Sequence, residues 1–407
     1  MTFIENAQQT AEFMLPYRDL REALDIVGLA VPPRPALPVL GGVIVESKDS
    51  IVQFTAYDYE TTISVALPAA TRPAKNLWDH SELSKLLSAS AQGEKKAVVD
   101  QMTVSFGAGT LTTPYISAPV SARPLDEYPE VLSAAPIAAT VDGQEFFRQV
   151  ARVLSAACND DTLPALNGLQ VMLSDDKLML VGTDRYRLAY AEIKNESTPP
   201  FEKMGAMISA RVIAGLLKSM KNYEGPIHVG IIPSKEESIG YVTLTMGGVE
   251  VTSGYFGGQL VPFTKLIPKK YSEAVSIDRE TLARGVKKAV GVIKAKGMKN
   301  CPCDLQWSSS GVLTVVPQIS MEDQAKVRGM EVPYSIASGS DLCEMGAAFN
   351  PSFLLDALST FTTKYVTLHL SRPDDGSRIV KPSLITETHN LTENDYRHLL
   401  MPVRLQN

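Results

Sequence analysis

The sequence has few of the residues that support catalysis or metal binding. Its 407 residues include five histidines, four cysteines and two tryptophans. The histidines, at 80, 228, 369, 389 and 398, neither cluster nor recur. No GxSxG, HExxH, P-loop or strand–helix GxGxxG pattern is present. The cysteines, Cys158, Cys301, Cys303 and Cys343, are too few for a disulfide framework. Cys301-Pro302-Cys303 has the wrong spacing for a zinc knuckle, so reduced thiols, no metal and no cofactor are expected. No apolar run approaches the roughly 18 residues of a membrane span. The opening MTFIENAQQT lacks the basic start and apolar core of a secretory signal. A cytoplasmic protein with no membrane partner is therefore expected. With 39 basic and 45 acidic residues the net charge is −6, which taken as an average disfavours generic nucleic-acid binding. At 44% hydrophobic and 21% charged, the chain is not disordered.

The dominant feature is a repeat. ALPVLGGVIVESKDSIVQFTAYD, ending at Asp58, matches LPALNGLQVMLSDDKLMLVGTD, ending at Asp184, at an offset of 126 without a gap. Pro38 meets Pro164, Gly42 meets Gly168, Asp49 meets Asp175 and Asp58 meets Asp184. Upstream, Leu20, Leu24 and Val27 share one helical face, and so do their mates Phe146, Val150 and Val153. A second helix recurs three times, with Leu83, Leu86 and Leu87, then Ile213, Leu216 and Leu217, then Leu354, Ala357 and Leu358. A further helix over 278–296 carries Leu282, Val286 and Val290 on one face, and a hairpin is expected over 305–316. The pattern predicts an α+β fold of three tandem units, at 1–136, 137–268 and 269–407, each with helices packed on antiparallel sheet. The best catalytic constellation would be the run 183–187 with His398. Because Asp184 recurs as Asp58, a turn or cap is the expected role, and no catalytic residue is assigned.

Within this frame LPVLGG (37–42), LPALNG (163–168), GTDRYRLA (182–189), LIPKK (266–270), FNPSFLLDAL (349–358) and LLMPVRL (399–405) stand in order along the chain. The sequence resembles the bacterial DNA polymerase III β sliding clamps, above all those of high-GC Gram-positive bacteria. That resemblance implies a non-catalytic processivity subunit: three clamp domains per chain, helices on one side and sheets on the other, and a head-to-tail homodimer closed into a ring. It implies duplex DNA, held without sequence specificity, as one partner. The others are the DNA polymerase III α subunit, the clamp-loader complex and further proteins with clamp-binding linear motifs. The compartment implied is the bacterial cytoplasm, at the nucleoid. A second-copy or phage clamp would share this mechanism, and a scaffold that does not bind DNA is the alternative of a different class.

The resemblance assigns a partner-peptide cleft to Leu166, Thr183, Arg185, Tyr186, Arg187, Leu188, Lys265, Leu266, Asn350, Phe353, Met401, Pro402, Val403, Arg404 and Leu405. It places the dimer contact near 110–115, with Leu111, and near 290–293, with Val290 and Val292. Two departures from the family pattern are Pro262, one position late, which affects the wall at Val261 and Pro262, and the extra Gln406-Asn407. Six helical segments chosen to match the fold, at 17–34, 79–96, 142–158, 209–221, 278–296 and 349–364, carry a net charge of +7. The remainder of the −6 chain therefore carries −13. Segments 209–221 and 278–296 supply +3 and +4. Such a lining suits backbone phosphate contacts, and the candidates are Arg34, Arg152, Arg211, Lys218, Lys287 and Lys288.

Overall fold

The computed structural model describes residues 12–158, 162–163, 166–174, 176–195, 204–232, 240–255, 262–268, 270–339, 342, 345–372 and 378–405. The expectations for Pro164, Asp175, Val261, Cys343, Gln406 and Asn407 fall outside these residues. Contacts divide the chain into two compact units. The first comprises Met1–Phe147, Val171–Leu178 and Lys194–Gly258; the second comprises Arg148–Gln170, Met179–Ile193 and Gln259–Asn407.

Among the described residues, six helices of nine residues or more form where the apolar periodicity places them: α1 (Tyr17–Val27), α2 (His80–Ser90), α3 (Gly143–Leu154), α4 (Ala210–Met220), α5 (Arg279–Ala295) and α6 (Pro351–Ser359). Each follows a strand almost without a loop, and at four of the six junctions the side chain of the junction residue caps the helix; Pro16 and Ser209 make no side-chain cap. The carboxylates of Asp79, Asp142 and Asp278 accept from the backbone N–H of Glu82 (2.8 Å), Glu145 (2.7 Å) and Thr281 (2.8 Å). Asn350 does the same for Ser352 at 3.0 Å. Each such cap contributes about 1 kcal/mol. The faces read from the sequence are largely the buried ones: Leu20, Leu24 and Val27 on α1, Phe146, Val150 and Val153 on α3, and Leu354, Ala357 and Leu358 on α6, whereas Leu86, Leu217 and Val290 are half-buried at the margins of theirs.

Unit one holds a nine-stranded antiparallel sheet. Its order is Ala122–Arg123, Ala74–Asp79, Gly42–Lys48, Ile51–Tyr57, Thr61–Pro68, Val249–Tyr255, Gly240–Met246, Pro226–Ile232 and Ile137–Asp142. The pairing of Val251 with Ile63 joins sequence from either side of the expected boundary at 136. A ladder of this kind explains why contacts group these stretches into one unit. Phe13 stacks on Phe106 at 5.4 Å and meets Phe54 edge-on at 5.8 Å, anchoring a second, five-stranded sheet. In that sheet Thr110–Thr112 lies between Thr103–Gly107 and Ser117–Pro119. The strand expected at the dimer contact is therefore interior to this sheet, because the chain turns back after Thr113 and adds one more strand. Leu111 is 0% exposed inside this sheet and not available to a partner.

In unit two the strand order runs Arg187–Lys194, Tyr396–Leu400, Ser383–Thr386, Tyr365–Leu370, Glu273–Asp278, Met330–Ser338, Val312–Pro317, Cys303–Trp307 and Gly346–Phe349. The register pairs Arg187 with Leu400 and Leu188 with Leu399. That register brings the TDRYR turn beside the last residues of the described chain.

Candidate functional site

The turn that opens the site is built twice. Asp184 Oδ1 accepts from the N–H groups of Tyr186 and Arg187, both at 3.0 Å. Its mate Asp58 accepts from Glu60 at 3.1 Å and Thr61 at 2.7 Å. The residue after each aspartate is left-handed, with φ of 76° at Tyr59 and 78° at Arg185. Both aspartates close an Asx-type turn between paired strands, which explains their recurrence without any catalytic demand.

All fifteen residues expected in the cleft fall within unit two. The Tyr186 and Phe353 rings stack with centroids 6.3 Å apart. Arg187 lies over Phe353, its guanidinium carbon 4.4 Å from the ring centre. Nε of Arg187 donates to Asp184 Oδ2 at 2.9 Å and Nη1 to Asp356 Oδ2 at 2.7 Å. Met401 donates its N–H to the Tyr186 carbonyl at 2.9 Å, and Val403 to the Ala348 carbonyl at 2.7 Å. Tyr186, Met401 and Val403 keep large apolar surface exposed, and Phe353 is half-buried. The result is an apolar strip of Tyr186, Phe353, Met401 and Val403, held by two ladders and one doubly paired arginine. Arg185 and Arg404 are exposed beside it in sequence. Asp356 was not read as a site residue, although its position one turn beyond Phe353 on α6 is a helical signal that could have found it.

The remaining cleft residues divide by role. Leu188 is buried, and the Thr183 hydroxyl is committed to the Arg187 carbonyl at 2.7 Å. These two shape the strand and present little surface. Asn350 is the α6 cap already described. Leu166 is half-buried, its carbonyl accepting from Cys158 N–H at 3.2 Å. Lys265 and an exposed Leu266 follow Phe263, which stacks on Tyr190 at 5.1 Å. Pro402 and Leu405 are half-buried.

Of the basic candidates, Arg34, Lys218, Lys287 and Lys288 are exposed and carry no ion pair among the described residues. Arg211 is exposed, donating to Asp58 at 2.9 Å and to the Leu29 carbonyl at 2.6 Å. Arg152 is a correction. It is 7% exposed, pairs with Glu387 at 2.7 Å and lies 3.9 Å from the Tyr396 ring centre. Burial lowers its pKa, and a guanidinium so enclosed presents nothing to a phosphate. It belongs to a buried cluster in which the Tyr396 hydroxyl bonds His398 Nδ1 at 2.9 Å and burial pushes His398 down to about 3. Val290 is half-buried and Val292 is 40% exposed on α5. Among the described residues no group of His, Cys, Asp and Glu is arranged to hold a metal, and no helix is long and apolar enough to cross a membrane.

Residues 140–260 match the family described as DNA polymerase III beta subunit, central domain. The chain is 27% identical over 384 residues to the beta sliding clamp homolog GriR of Streptomyces muensis, covering 93% of this chain and 94% of that one. It is 25% identical over 392 residues to the beta sliding clamp of Streptomyces coelicolor, covering 95% and 97%. The DNA polymerase sliding clamp of Bacillus subtilis superposes with a TM-score of 0.78 at 18% identity, covering 98% of this chain and 100% of that one, a likeness of fold. Over nearly its whole length the chain is thus similar to bacterial beta sliding clamps, and residues 140–260 match the central domain of the DNA polymerase III beta subunit.

Proposed function

We propose that this chain is a DNA polymerase III sliding clamp that acts without catalysis, as a tether. In this reading its three repeats, at 1–136, 137–268 and 269–407, are clamp domains, and two copies close head to tail into a ring around duplex DNA. Exposed cations at Arg34, Lys218, Lys287 and Lys288, with Arg211, attract the phosphate backbone without reading sequence. The polymerase α subunit, the clamp loader and other partners would dock a short linear motif on the unit-two strip, in the cytoplasm at the nucleoid. The observation that carries this reading is the gathering of Tyr186, Phe353, Met401 and Val403 beside Arg187, at positions where the family resemblance expects a partner site.

Apolar anchors suit such a surface. Each buried Leu or Phe of a motif contributes about 1.5–3 kcal/mol, and after ordering costs an affinity near ~1 μM follows. That strength suits partners that exchange on one ring. The test is titration of a fluorescent Leu/Phe-containing clamp-binding peptide against Met401→Ala. Loss of about tenfold in affinity supports the docking site. Unchanged binding by a folded variant contradicts it.

A further inference from the structure

Unit one holds a cavity of about 540 Å³ between α1, α2 and the segment 31–41. That is within the roughly 300–1,000 Å³ of small-molecule sites. Three cations line it, Arg21, Lys85 and Arg123, against one carboxylate, Asp79, which Arg123 already engages. Arg21 is held in place by donating to the Ser88 hydroxyl and to Asp25. Lys85 is exposed and has no ion pair among the described residues.

Two lining groups are incomplete. The Ser84 hydroxyl and Arg123 Nε are buried and have no hydrogen-bond partner among the described residues. The other nitrogens of Arg123 are used, one on Asp79 and one on the Pro38 carbonyl at 2.5 Å. The donors left over are therefore a hydroxyl, an Nε–H and an ammonium, a set that an acceptor-rich anion would complement. The backbone is fitted closely around these groups. A Cβ at Gly28 would come within 2.9 Å of the His80 ring, and one at Gly41 within 3.3 Å of the Arg123 guanidinium. Pro32 and Pro33 give the cavity an apolar wall.

We propose that this cavity binds a nucleotide through its phosphate, which Ser84, Lys85 and Arg123 receive, while the prolines face the nucleoside. The site lies wholly in unit one, whereas the apolar strip lies in unit two. The experiment is calorimetric titration of the full chain with AMP, inorganic phosphate and adenosine, and with an oligonucleotide carrying or lacking a 5′-phosphate. AMP should saturate at millimolar concentration or below, with adenosine weaker by about tenfold or more. Lys85→Glu and Ser84→Ala touch no helix cap or ladder, and each should weaken AMP several-fold at unchanged melting temperature. If the 5′-phosphorylated strand outcompetes AMP and responds to the same variants, the phosphate is one borne by nucleic acid. Absence of saturation by either phosphate ligand, equal binding of AMP and adenosine, or full affinity in both variants would overturn the proposal.

Discussion

Replacing Arg187 by alanine separates what the guanidinium does for the fold from what it does for the strip. The side chain is 10% exposed and engages Asp184, Asp356 and the Phe353 ring, all in unit two. Breaking a buried ion pair costs about 3–5 kcal/mol. Asp184, 13% exposed, keeps two backbone donors after the substitution, so its share falls to about 2 kcal/mol. Asp356 is 50% exposed and adds about 0–1 kcal/mol. Stacking on Phe353 adds about 0.5–2 kcal/mol. The expected total is about 3–4 kcal/mol, read as a lowered urea midpoint for the transition reported by unit two. Arg187→Lys keeps the charge but loses the planar fork, and should fall between parent and alanine. With Phe353 released, the peptide should bind about tenfold more weakly under conditions where the variant is still folded. A variant within about 0.5 kcal/mol of the parent that binds peptide normally would refute both the energetic and the positional reasoning.

Other outcomes follow from burial and charge. Leu111→Glu places a charge in a fully buried site and should abolish folding by circular dichroism, whereas the 40% exposed Val292→Glu should stay folded and sediment as a monomer. Lys287→Glu with Lys288→Glu should leave peptide affinity unchanged, weaken DNA association and flatten the log–log salt slope by about 0.9 for each phosphate no longer neutralised. Burial pushes His398 down to about 3 and His369 to about 4, both from 6.5. Below pH 6.5 the unfolded chain takes up protons that the folded one refuses, so stability is full above 6.5 and falls as pH drops towards 4. Each histidine contributes a slope of up to about 1.4 kcal/mol per pH unit in that window, measurable as urea midpoints at pH 7 and pH 5. His398→Asn should reduce that slope, and an unchanged slope would contradict the assignment.

The local features were legible because they are written in short stretches. Helical faces, the Asp58–Asp184 recurrence and the Asn350 cap all follow from period and residue type, and each appears where expected. What the sequence hid depends on partners far along the chain. Arg152 reads as a basic residue on a helix, but Glu387 and Tyr396 enclose it from more than two hundred residues away. Leu111 reads as a contact residue, but its strand is flanked by Ser117–Pro119, a three-residue strand too short to leave a periodic signal. The cavity of unit one draws Arg21, Ser84 and Arg123 from three separate segments, and no spacing rule connects them.

In the proposed reading the chain holds DNA by enclosing it. The direct measurement is retention on nicked circular DNA after loading by a bacterial clamp loader, followed by linearisation with a restriction enzyme at physiological salt. Weak phosphate contacts inside a closed ring predict stable retention on the circle and rapid loss once free ends exist. Retention on the linear product, or no difference between the two forms, would contradict the account.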